Sequence, residues 1–181
     1  MLDQDADEMC RVKALYAISC LCRDCLPAMT RLNQLDGWSV VLRAIQTDIV
    51  PRLRTKGCFF LAAVVTSSAA LSTKNATSGG GGSGGHVERL VSMGMVQQLA
   101  AIVQQPLDIT HEHVLNFLLA LVSKSEATRA DAQQPKLELA NTLTLKLGEA
   151  SDQDEYLETV QHIKHILKIC FKDEIEDVAN R

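Results

Sequence analysis

A short apolar pattern written three times constrains this chain more than any other feature. Val12-Lys13-Ala14-Leu15-Tyr16-Ala17-Ile18 overlies Thr55-Lys56-Gly57-Cys58-Phe59-Phe60-Leu61 at an offset of 43, from Lys13 to Lys56. That segment in turn overlies Glu112-His113-Val114-Leu115-Asn116-Phe117-Leu118 at an offset of 57, from Lys56 to His113. The second offset also places Gly37-Trp38-Ser39-Val40-Val41-Leu42-Arg43-Ala44-Ile45 on Gly94-Met95-Val96-Gln97-Gln98-Leu99-Ala100-Ala101-Ile102, so two different segments share one register. Apolar residues recur at helical spacing in each copy: Leu15, Ile18, Leu21, Cys22 and Cys25, then Leu61, Val64 and Val65, then Val114, Leu115, Leu118, Leu121 and Val122. A repeated amphipathic helix of this kind buries its apolar side against its neighbours.

Composition agrees with helix on helix. Hydrophobic residues make up 46% of the 181 and aromatics only 4%, which leaves little of the Tyr, Phe and Trp that sheets draw on. A helical unit of about 43 residues falls in the armadillo/HEAT range, where a short helix, a Gly-marked corner, a second helix and a longer third helix stack on the next unit. Leu26 to Leu35 reads as the short helix, Gly37 as the corner, Trp38 to Gln46 as the second helix and Pro51 to Thr66 as the third. Pro51 suits a first turn, where its missing N–H costs nothing. The next unit runs Val87 to Met93, Gly94, Met95 to Gln104 and, after Pro106, roughly Ile109 to Ser123, with Pro135 closing it.

The expected architecture is therefore all-α, an armadillo/HEAT-like α-solenoid of about two and a half repeats over 1–134. C-terminal capping helices follow over 135–181, at Leu137 to Leu147 and Leu157 to Phe171, with an acidic tail from Asp173 to Asp177. The run Ser78 to Gly85 has almost no side chain to bury, so a flexible Gly/Ser loop is expected over about 73–86, as a natural insertion or an engineered linker. Met1 to Cys25 supplies only the third helix of a unit. The array is thus expected to be N-terminally incomplete, as a fragment, an incomplete gene model, or a chain whose first face a partner covers.

A formal net charge of −4 gives no general basic field for nucleic acid or anionic lipid. No apolar run reaches the roughly 18 residues that span a bilayer, and Met1 to Glu8 is acidic where a signal peptide is basic and then apolar. The expected compartment is the cytoplasm. Asn75-Ala76-Thr77 is a glycosylation triplet that matters only in a secreted chain.

Six cysteines are few for a disulfide scaffold, so reduced, packed thiols are the simpler reading. Cys20, Cys22 and Cys25 have the short spacing that zinc selects, but on one helix only Cys22 and Cys25 share a face, and no second CxxC follows. His111 and His113 are two apart and cannot share a helical face; His162 and His165 do share one but lack a nearby carboxylate pair. All four are expected to be ordinary surface histidines. With no nucleophile elbow, phosphate loop or dinucleotide fingerprint, the sequence points to no enzyme, cofactor, metal or small-molecule substrate.

What remains is a surface ladder. The register puts Lys13, Lys56 and His113 at one level of successive third helices, and Tyr16, Phe59 and Asn116 one turn further along. A row of cationic or polar groups backed by rings fits a protein-binding strip. The competing expectation is that both lysines are merely solvated and both rings partly core.

At these residues the chain resembles the armadillo-type nucleotide exchange factors of the 70-kDa heat-shock chaperones, on their cytosolic heat-shock-protein-binding branch. The resemblance is carried by Arg11 to Leu21, Leu35-Asp36-Gly37-Trp38-Ser39-Val40, Ser92 to Leu99, and His111-Glu112-His113-Val114-Leu115. It implies a curved α-solenoid that grips one lobe of the chaperone's ATPase domain with its concave face and promotes ADP release. Carried over residue by residue, it implies contacts at Lys56 first, then Lys13, Tyr16, Phe59 and His113. The alternative is a general armadillo scaffold holding an extended peptide. Such grooves repeat Asn and Trp along their third helices, whereas here only Asn116 does so.

Overall fold

A computed structural model describes residues 7–23, 25–47, 50–72 and 84–172. Among them every regular element is helical, and no strand occurs. In chain order they are α1 (Glu8–Cys22), α2 (Leu26–Gln34), α3 (Gly37–Thr47), α4 (Pro51–Ser72), α5 (Gly84–Ser92), α6 (Met95–Val103), α7 (His111–Lys124), α8 (Glu126–Ala132), α9 (Leu139–Ala150) and α10 (Leu157–Cys170). Short 3₁₀ turns at Pro135–Leu137 and Asp154–Tyr156 introduce α9 and α10.

Local chemistry sets the ends. Asp7 caps α1, its Oδ1 accepting from the N–H groups of Met9 at 2.7 Å and Cys10 at 3.1 Å. The helix stops where Arg23 turns extended, with its N–H returned to the Ser19 carbonyl. Ser125 likewise caps α8.

The two corners that the sequence equates are solved differently. Gly94 itself takes the left-handed conformation at φ 68° between α5 and α6. Between α2 and α3 the left-handed residue is Asp36, at φ 52°, and Gly37 already belongs to the helix. Gly37 is needed for space instead: a Cβ there would stand 2.2 Å from Leu32 Cδ1.

Packing follows the repeat. Helix α4 lies between α1 and α7, and α10 packs along the other side of α7, so these four succeed one another across the molecule. Helix α3 packs on α4, α6 on α7 and α9 on α10. The residues in register, Leu15, Cys58 and Leu115, are all buried, as are Cys22, Val65 and Val122 two turns on. Trp38 stacks on Phe60, with centroids 6.3 Å apart, tying α3 to α4. Gly57 lets these two helices approach; a Cβ there would sit 2.5 Å from Ile45 Cγ1.

Two boundaries differ from expectation. The third helix does not stop at Thr66 but runs to Ser72, because Ser67 to Ser72 contains no proline or glycine to end it. Helix α5 starts at Gly84, so the end of the glycine stretch forms a first turn, where four N–H groups lack intrahelical partners in any case. The remainder of the expected loop, 73–83, and the acidic tail lie outside the described residues.

Candidate protein-interaction strip

The laddered residues sit on α1, α4 and α7, and contacts between helices join them in pairs. Lys56 on α4 holds its Nζ 5.7 Å from the centroid of the Tyr16 ring on α1, a cation–π arrangement. Phe59, one turn further along α4, meets His113 on α7 edge to face, with centroids 6.5 Å apart and planes at 89°. Each contact therefore runs from the first level of one helix to the second level of the helix before it. Tyr16 is 60% exposed and Phe59 53%, so neither ring belongs to the core. Lys13 is exposed one turn before Tyr16, and Asn116 is partly buried one turn after His113. The Tyr16 phenol titrates above its ordinary range, chiefly through its hydrogen bond with the Cys20 thiol.

The register fixes these positions because the levels between them are buried. Leu15 and Ile18 on α1, Cys58 and Leu61 on α4, and Leu115 and Leu118 on α7 turn inward, which leaves the intervening levels on the outside.

Two histidines depart from the surface role read for them. His111 is only 1% exposed, and its Nδ1 lies 2.9 Å from Asp108 Oδ1. The same carboxylate oxygen accepts from the Thr110 N–H at 2.8 Å and the Thr110 hydroxyl at 2.6 Å, so His111 is part of a polar knot that opens α7. Burial acts to raise the Asp108 carboxyl, but these hydrogen bonds outweigh it and hold the group below the ordinary carboxylate range. His162 on α10 is half-buried, which pushes its imidazole below the usual value; Glu158 and Glu112 pull it up, while His165 and His113 push it down. His165 is exposed. His113 Nδ1 stands 3.8 Å from Glu112 Oε1.

The cysteine cluster does not lie on one helix. Cys22 is the last residue of α1, whereas Cys25 precedes α2 in an extended conformation, so the shared helical face expected of them is absent. All six thiols are free; burial pushes Cys58 up to about 12 and Cys170 up to about 11. Among the described residues no three His, Cys, Asp or Glu side chains converge on a point that could hold a metal ion, and no helix is long and apolar enough to cross a membrane.

Sequence reasoning left His162 outside the strip. An offset of 49 would have found it, since this places Val114, Phe117, Leu118 and Leu121 on Ile163, Ile166, Leu167 and Cys170, all buried.

Fold and surface together define an all-α protein that presents rings and cations on a row of parallel-registered helices. No protein-family profile matches the chain. It is 34% identical, over its whole length and 184 aligned residues, to Hsp70-binding protein 1 of Homo sapiens, covering 46% of that protein. It is equally similar to Hsp70-binding protein 1 of Macaca fascicularis, and 33% identical to that of Mus musculus. The chain thus spans about half the length of the curated relatives it matches.

Proposed function

We propose that this chain is an armadillo-type co-chaperone that binds the ATPase domain of an Hsp70 and speeds its release of ADP. The observation that carries the reading is the likeness of the whole chain to Hsp70-binding protein 1. The exposed strip supplies the surface for it. The triplets α2–α3–α4 and α5–α6–α7 act as stacked armadillo-like repeats, with α1, α4 and α7 lining the concave wall and α9 and α10 as the C-terminal cap.

Lys13 and Lys56 pair with carboxylates of the partner, while Tyr16 and Phe59 provide apolar anchoring. Cation–π contact with Tyr16 orders Lys56 before binding, which reduces the side-chain entropy lost on docking. His113 and Asn116 continue the row. Gripping one lobe of the ATPase domain in an orientation that a closed cleft does not allow makes the chain and ADP mutually unfavourable ligands. The chain then weakens ADP, and ADP weakens the chain by the same equilibrium factor. No bond is made or broken by the chain, no cofactor enters, and the setting is the cytoplasm.

The test is reciprocity. Titrating the chain into an Hsp70 ATPase domain by calorimetry gives tight binding to the nucleotide-free domain and roughly fivefold or greater weakening with saturating ADP, the lower range of ordinary allosteric coupling. Equal affinity in both states overturns the exchange mechanism, and no binding in either overturns the assignment of partner.

A further inference from the structure

Helix α10 repeats the strip's geometry at the end where the repeat was expected to give way to a cap. At the offset of 49, His162 falls at the level of Lys13, Lys56 and His113, and His165 at the level of Tyr16, Phe59 and Asn116. The structure supports this register at Val114, Phe117, Leu118 and Leu121, which are buried like their counterparts Ile163, Ile166, Leu167 and Cys170, whereas Lys164 is exposed where Leu115 is buried; α10 packs on α7. It also brings His162 close enough to Glu112 and His113 of α7 for their charges to act on it, alongside Glu158 and His165 of its own helix. One turn beyond His165, Ile169 is 39% exposed where its counterpart Ala120 is 9% exposed, so α10 stands more open than α7.

Charge continues in the same sense. Among the described residues the exposed charged side chains of α10 are Glu158, Lys164 and Lys168, with Lys172 just after it, while the acidic run Asp173 to Asp177 that follows in sequence lies outside the described residues. A partner surface that is acidic opposite Lys13 and Lys56 finds lysines, Lys164 and Lys168, on α10 as well.

We propose that α10 is a fourth rail of the docking strip, on which His165, held beside the half-buried His162, contacts the same acidic protein surface that the lysines of α1 and α4 engage. This inference rests on the Hsp70-binding reading above and extends it to a helix that the sequence assigns to a cap. His162 acts by position: partly buried against α7, it fixes the face that α10 presents, whereas exposed His165 makes the contact.

The experiment measures affinity of the full chain for an Hsp70 ATPase domain by biolayer interferometry, for the unmodified chain, Lys56→Glu, His165→Glu, His165→Ala and a control, Lys136→Glu. Lys136 is exposed and lies outside the four helices of the strip. Circular dichroism melts confirm folding, which exposed positions leave intact. His165→Glu is expected to weaken binding roughly tenfold or more and His165→Ala about threefold, with the control within about twofold. Unchanged affinity of both His165 variants, alongside weakening by Lys56→Glu, overturns the fourth rail and leaves the Hsp70 reading standing. No binding by the unmodified chain overturns both.

Discussion

Helices α1 and α7 carry the same repeated pattern and meet different fates. Along α7, eight residues are buried, from His111 through Val122, because α4 packs on one side and α10 on the other. Along α1 only Val12, Leu15 and Cys22 are buried, and Leu21 stands 67% exposed although the periodicity counts it with the apolar face. The pattern makes both segments helical, but the number of neighbours decides how much of each is removed from water. Local periodicity and burial are thus separate links in the chain of cause, and only the first is written in the helix itself.

The contrast can be broken most severely from inside. Leu118→Ala on α7 removes a fully buried side chain held by neighbours on both sides and is expected to destabilise by about 3 kcal/mol, whereas Leu21→Ala on α1 costs about 0.5 kcal/mol or less. Chemical denaturation of both variants measures the difference, and equal losses would show that α1 is as enclosed as α7. Gly57→Ala comes next: its new methyl meets Ile45 at the α3–α4 crossing, and a loss of about 1–3 kcal/mol is expected.

A smaller effect sharpens the comparison at the helix starts. Asp7 opens α1 from the surface, whereas Asp108 opens α7 with His111 buried behind it. Asp108→Asn, which takes the charge out of the contacts with Thr110 and His111, is expected to cost about 1 kcal/mol near neutral pH. Because the folded-state carboxyl titrates below its unfolded value, this stabilisation is fully present above about pH 4 and is lost as pH falls through the lower folded value. Stability curves of the chain and the variant therefore converge in acid; a gap that persists once the Asp108 carboxyl is protonated would assign the effect to packing.

Much of the fold was legible because the repeat fixes which residues face inward. Leu15, Cys58 and Leu115 lie at one level and are all buried, so the levels of Lys13, Tyr16, Lys56, Phe59, His113 and Asn116 follow from spacing alone. What spacing cannot give is the environment made by other elements. His111 reads as a surface imidazole until Asp108 and Thr110 close over it, and Cys25 reads as part of α1 until Arg23 turns extended. Spacing marks Gly37 as a corner, yet its neighbour Asp36 makes the turn, since an aspartate tolerates the left-handed region while only glycine fits against Leu32. On α10 the repeat is harder to read, because Lys164 replaces the buried Leu115 at its level where no further described helix packs.

The strip matters only if it moves nucleotide. Release of a fluorescent ADP analogue from an Hsp70 ATPase domain, followed by stopped flow with the unmodified chain and with Lys56→Glu, reads this in one experiment. Release is expected to accelerate at least roughly tenfold with the unmodified chain and to return to the basal rate with the charge-reversed one, both chains giving the same helical circular dichroism. Acceleration that survives Lys56→Glu would place the grip elsewhere on the molecule, and a folded chain that leaves the basal rate unchanged would contradict the exchange function.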